Sequence, residues 1–143
     1  MTEHHFTIKH GKYSADIVLG GEWSLYELAE FIIKTVGFDF DHCFEFCDNV
    51  KNPYQSTERY TLFADIGDDP DHDDPGVKNT SIATVFESKR KMLFHFDYGD
   101  DWEFPITCTA VKESEKKRRF RSVLATKGAP PVQYPNYEDE EDQ

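Results

Sequence analysis

Apolar positions recur along this chain with two periods, and each period predicts a kind of element. From Leu25, the residues Leu28, Ala29, Ile32, Ile33 and Val36 repeat at helical spacing, which predicts a helix over 25–36. Ser24 is placed to cap it with Glu27 as capping-box partner, and Gly37 supplies a left-handed stop. Elsewhere the period is two. HFTIKH (His5–His10) and YSADIVL (Tyr13–Leu19) flank a turn at Gly11-Lys12 and read as a hairpin. Phe44 and Phe46 share one face of a following strand, and RYTLFAD (Arg59–Asp65) alternates as another. Thr80 or Ser81 is placed to cap a short helix carrying Ile82, Val85 and Phe86. Met92, Phe94, Phe96 and Tyr98 then line one strand face, and Trp102, Phe104, Ile106, Cys108 and Ala110 line the next. Gly99-Asp100 sits between them as a hairpin turn. Lys112–Arg119 forms a charged turn before a last strand, Phe120–Thr126.

The order β-β-α-β-β-α-β-β-β has too few helices for a doubly wound parallel sheet. It predicts an α+β domain with two helices packed on a mixed, mostly antiparallel sheet. At 143 residues the chain is one ordinary domain, read here as 1–137 followed by an acidic tail, 138–143. The core is built from rings more than aliphatics, with 12 Phe, 7 Tyr and 2 Trp. Phe38–Phe46 (FDFDHCFEF) aligns without gaps on Phe96–Phe104 (FDYGDDWEF). The first follows a helix and the second spans a hairpin, so the echo reads as chance rather than duplication.

Charge changes the picture locally. The net charge is −12, but six aspartates lie between Asp65 and Asp74 and five acids between Glu138 and Asp142. The remaining 17 acidic residues nearly balance the 16 basic ones, so the folded body is close to neutral. Nonspecific coating of DNA, which needs net basic charge, is disfavoured. No run of about 18 apolar residues spans a membrane, and MTEHHFTIKH carries no apolar signal region. Three cysteines make no disulfide framework and suit a reducing compartment. The expectation is a cytoplasmic protein without a membrane partner.

The candidate chemistry concentrates at HFDYGDDWEF. Asp97, Asp101 and Glu103 lie on the face opposite the aromatics, and Asp100 adds a fourth carboxylate. Such a group suits oxygen ligation of a divalent cation, or capping of the turn's own amides. The loop DIGDDPDHDDPG is no EF-hand. Counted from Asp71, position five is Pro75 and position twelve is Ile82. His42, Cys43, Cys47 and Cys108 lack zinc-site spacing, and cysteines among phenylalanines usually fill cores. No nucleophile elbow, P-loop or G-x-G-x-x-G is present. A basic cluster, Lys112, Lys116, Lys117, Arg118, Arg119 and Arg121, with Lys89-Arg90-Lys91 nearby, would suit phosphates, and Phe120 a stacked base.

The core Phe96, Asp97, Tyr98, Gly99, Asp100, Asp101, Trp102 and Glu103 resembles the plasmid Ri Orf-three-like family. That family shares a Gly-Asp-Asp-Trp core, and some members are labelled TnpR-like passenger proteins of insertion elements. The early helix with Gly37-Phe38, His42 and Phe46 is similar to the family pattern. So are Gly128, Pro130, Pro131 and Tyr137, and the likeness spans about residues 5–138. Many members carry a His soon after the Trp, where this chain has Phe104, and a further helix after Pro-Pro, where it ends in acids. The resemblance implies an α+β fold and no defined activity. The recombination label is not carried over, since no nucleophilic serine motif backed by arginines is present.

The reading that follows is a non-enzymatic binding or accessory domain, in the setting of mobile elements that the resemblance implies. Its contact residues are Asp97, Tyr98, Asp100, Asp101, Trp102, Glu103, Pro130 and Pro131, and its partner is a protein or a nucleic acid. No cofactor is expected. One alternative is a metal-dependent hydrolase holding a divalent cation on Asp97, Asp101 and Glu103, with His95 or His42 assisting. The other is nucleic-acid binding through Lys116, Lys117, Arg118, Arg119 and Arg121. Oligomeric state is not legible.

Overall fold

The computed structural model describes residues 2–62, 76–116 and 118–134. Seven strands form one sheet: β1 (Thr2–His10), β2 (Tyr13–Gly20), β3 (Phe44–Cys47), β4 (Arg59–Thr61), β5 (Lys91–Phe96), β6 (Trp102–Glu113) and β7 (Arg121–Lys127). Their order is β4-β3-β5-β6-β1-β2-β7. Each named pairing is antiparallel, because hairpins and returning loops bring every neighbour back in the opposite direction. The sheet expected to be mixed is therefore antiparallel among the described strands, with one isolated parallel bridge, Thr61 to Gly76. Strand outweighs helix, so the α+β class holds in a sheet-dominated form.

Helix α1 runs Leu25–Val36 with both capping-box hydrogen bonds present, and Gly37 closes it at φ 91°. A short helix, α2 (Ile82–Val85), follows Ser81. One face of the sheet carries Phe6, Ile8, Phe44, Phe46, Phe94, Phe96, Phe104 and Ile106, all essentially buried. Leu25, Leu28, Ile32 and Ile33 of α1 join the same core. Burying each such side chain contributes about 1.5–3 kcal/mol, which outweighs the modest helix propensity of the β-branched residues in α1. The rings meet edge to face or offset, as in Phe6–Phe86 and Phe46–Phe94, both at 5.0 Å.

Several strand boundaries differ from the sequence expectation, most by one or two residues. β1 begins at Thr2 because residues 2–5 pair with the far end of β6, which itself runs on to Glu113. β5 stops at Phe96, since Asp97 turns to φ 64° and leaves the extended region. The strand expected over 59–65 is seen as Arg59–Thr61. Leu62 is already helical, and residues 63–75, Lys117, Tyr137 and the tail 138–143 lie outside the described residues.

Candidate functional site

The turn that joins β5 to β6 is organised by its first aspartate. Asp97 is buried, and its Oδ1 accepts the amides of Gly99 at 3.1 Å and Asp100 at 3.3 Å. Its own amide donates to the Cys43 carbonyl, and its carbonyl accepts from the Asp101 amide at 2.6 Å. Asp97 and Asp101 both hold left-handed backbone, φ 64° and 53°, a conformation Asp tolerates better than most residues. Capping the turn's amides is thus what the Asp97 carboxylate does. Asp100, Asp101 and Glu103 are exposed, while Tyr98 and Trp102 are half-buried.

Loop 37–43 and the segment after β7 close on this turn. Asp97 Oδ2 lies 3.3 Å from His42 Nε2. The same nitrogen is 2.7 Å from Tyr134 Oη, whose hydroxyl donates to Asp41 Oδ2 at 2.9 Å. Beside it the buried Gln133 side chain accepts from the Asp39 amide at 2.7 Å and donates to the Asp39 carbonyl at 3.1 Å. Residues 128–134 therefore form a strap anchored on loop 39–42. Pro130 is exposed and Pro131 half-exposed on it, with Val132 and Tyr134 presented to solvent. The hydrogen bond to Asp41, then partial desolvation and the charges of Asp41, Asp97 and Asp100, push the Tyr134 phenol up to about 12.

On the outer sheet face, strand alternation and register place Glu45, His95 and Glu103 side by side on β3, β5 and β6. His95 is buried, with Nε2 2.8 Å from Asp101 Oδ1 and Nδ1 3.4 Å from Glu45 Oε1. Arg59 donates through Nη1 to both oxygens of Glu45, at 3.2 and 3.1 Å. The hydrogen bond to Glu45 leads in raising the pKa of His95 above 6.5; burial opposes it and Asp101 adds to it. For Glu45, burial works upward, but His95 and Arg59 outweigh it and hold the carboxyl below its usual range. Tyr98 packs edge-on to His95 at 5.0 Å, and burial followed by the Glu45 charge raises its phenol.

Asp97, Asp101 and Glu103 do not come together as a cation site: the first faces amides and His42, the second faces His95. Among the described residues no three His, Cys, Asp or Glu side chains converge to hold a metal. Cys47 and Cys108 are buried, and burial raises their thiols, Cys108 to about 11, as suits core fillers. The basic cluster is partly engaged. Arg119 pairs with Glu27 and lies over Trp23, Arg121 pairs with Glu30 and lies over Trp23 and Phe31, and Lys116 covers Phe120. Arg118 is exposed. Sequence reasoning passed over Glu45, Arg59, Gln133 and Tyr134, whose spacing gives no local signal. Only the period-two alternation that puts Glu45 and His95 opposite the phenylalanines hints at the first.

Residues 7–134 match the model of the plasmid pRiA4b ORF-3-like protein family. The chain belongs to this family. The matched span contains the turn, loop 37–43 and the strap together. No curated protein matches the chain. Among solved structures it is similar to a protein of unknown function, MM3350 from Methanosarcina mazei Go1, at 16% identity and a TM-score of 0.72. That match covers 99% of this chain and 80% of the other, and at this identity it speaks for the fold alone.

No helix among the described residues is long and apolar enough to cross a membrane.

Proposed function

We propose that this member of the pRiA4b ORF-3-like family is a non-enzymatic binding or accessory domain. Its contact surface is the β5–β6 turn together with the strap. The observation that supports this most directly is the meeting of turn and strap through His42, which joins residues 55 and 92 positions away. The turn and the start of β6 carry exposed carboxylates (Asp100, Asp101, Glu103), and the strap that joins the turn through His42 carries exposed apolar groups (Pro130, Val132, Tyr134). Rigid backbone lowers the ordering cost of binding, aromatic and apolar groups supply contact area, and the carboxylates select a basic or amide-rich partner. Within this division Asp97 organises the turn and its exposed neighbours make contact. An accessory role in mobile elements is the setting the family resemblance implies.

The test is fluorescence anisotropy of the full chain with labelled basic, amide-rich and acidic decapeptides. Binding of the basic or amide-rich probe should weaken at least tenfold in Asp100→Lys and in Val132→Asp, both at exposed positions, with the melting temperature unchanged. Absence of binding to every probe, or binding indifferent to both substitutions, would defeat the proposal.

A further inference from the structure

A buried histidine bridges two carboxylates of unequal exposure, and this inequality gives the turn a direction in which to open. We propose that the Glu45–His95–Asp101 bridge is a proton-operated latch on the 97–101 turn. It is closed while the imidazole is protonated and opens at Asp101 when the proton leaves.

A protonated ring carries two N–H groups, and both are used: Nδ1 faces Glu45 and Nε2 faces Asp101. A neutral ring carries one. The two carboxylates then compete for a single donor, and burial decides the outcome. The Glu45 side chain is 11% exposed and cannot turn to water, whereas the Asp101 side chain is 56% exposed and can. Arg59 keeps Glu45 anchored in place, so the ring's remaining proton stays on the Glu45 side. Asp101, freed, no longer has a side-chain partner to hold its left-handed backbone, and the turn relaxes. The groups facing His95 agree with this sense. Glu45 on β3, Asp101 on the turn and Glu103 on β6 are acidic, Arg59 on β4 faces Glu45, and the Tyr98 ring covers the imidazole.

The sign follows from the raised pKa of His95. The bridge is intact below the ordinary histidine value of 6.5 and is lost as pH rises through the higher folded-state value. The latch is closed below 6.5 and opens as pH rises through that folded-state value. It is a property of the turn itself, whether or not the turn receives a partner.

The experiment is an NMR titration of the full labelled chain from about pH 5.5 to 9.5, following the His95 ring with the Gly99 and Asp101 amides. Two results are expected. The amides should move with the His95 midpoint, and that midpoint should lie above the one in the urea-unfolded chain. Asp101→Asn, an exposed substitution suited to left-handed backbone, should lower the His95 midpoint and abolish the amide titration. Amides that do not follow His95, or a His95 midpoint unmoved by Asp101→Asn, would overturn the latch.

Discussion

Removing the Asp97 carboxylate isolates the turn's main organiser, and its cost can be worked from the structure. In Asp97→Ala the amides of Gly99 and Asp100 lose their acceptor. Both lie near solvent, so water replaces part of each bond and the net loss is about 1 kcal/mol apiece. Alanine must also adopt φ near 64°, which costs roughly 1–2 kcal/mol for a residue with a Cβ and no local hydrogen bond. The half-exposed His42 contact adds about half a kcal/mol at most. The expected destabilisation is therefore about 3–4 kcal/mol, or a fall of roughly 10 °C in melting temperature for a domain of this size. Asp97→Gly removes the backbone strain and should cost about 1 kcal/mol less than alanine. Asp97→Asn keeps an acceptor oxygen and tolerates the left-handed region, so it should cost only about 1 kcal/mol. Urea denaturation with equal slopes across the series measures all three. An alanine variant within about 1 kcal/mol of wild type, or no difference between alanine and glycine, would refute the claim that Asp97 holds this turn.

Glu45 contributes stability of the opposite pH sense to His95. Its depressed carboxyl pKa makes the contribution present above 4.5 and lost as pH falls through the folded-state value, so Glu45→Gln should flatten the acid limb of a urea-midpoint profile. Gly37→Ala meets no atom within 4 Å and pays only for φ 91°, about 1 kcal/mol by thermal melting. Gly128→Ala should cost more, because its Cβ would sit 2.5 Å from the Lys12 carbonyl oxygen at the root of the strap; equal losses would show that the strap yields freely. Millimolar Mg²⁺, Mn²⁺ or Ca²⁺ should leave the melting temperature unchanged, and a rise would restore the cation alternative. Charge reversal at Arg118 and Arg119 should leave nucleic-acid retention unaltered; a steep, salt-dependent loss would revive that reading.

The two halves of this molecule differ in how much of them the sequence reveals. Helix 25–36, its capping box and its Gly37 stop are local, each encoded within four residues, and they appear where the pattern puts them. The seven strands are legible for the same reason, since alternation of Phe and polar residues is a property of the strand itself. The Gly-Asp-Asp-Trp turn and its amide capping are likewise readable from Asp97 and Gly99 two positions apart. Pairing is not local. That β1 would lie between β2 and β6 depends on which hydrophobic faces cover one another across some hundred residues, and no spacing records it.

The candidate site divides along the same line. Sequence alone established the acids of the turn and the face on which His95 lies, because both follow from alternation. Tertiary structure decided that Glu45 meets both His95 and Arg59, and that His42 lies between Tyr134 and Asp97. A hydrogen bond acts over about 3 Å, while the residues it joins here stand 14 to 92 positions apart. Only the register of the sheet and the anchoring of the strap bring such residues within that reach.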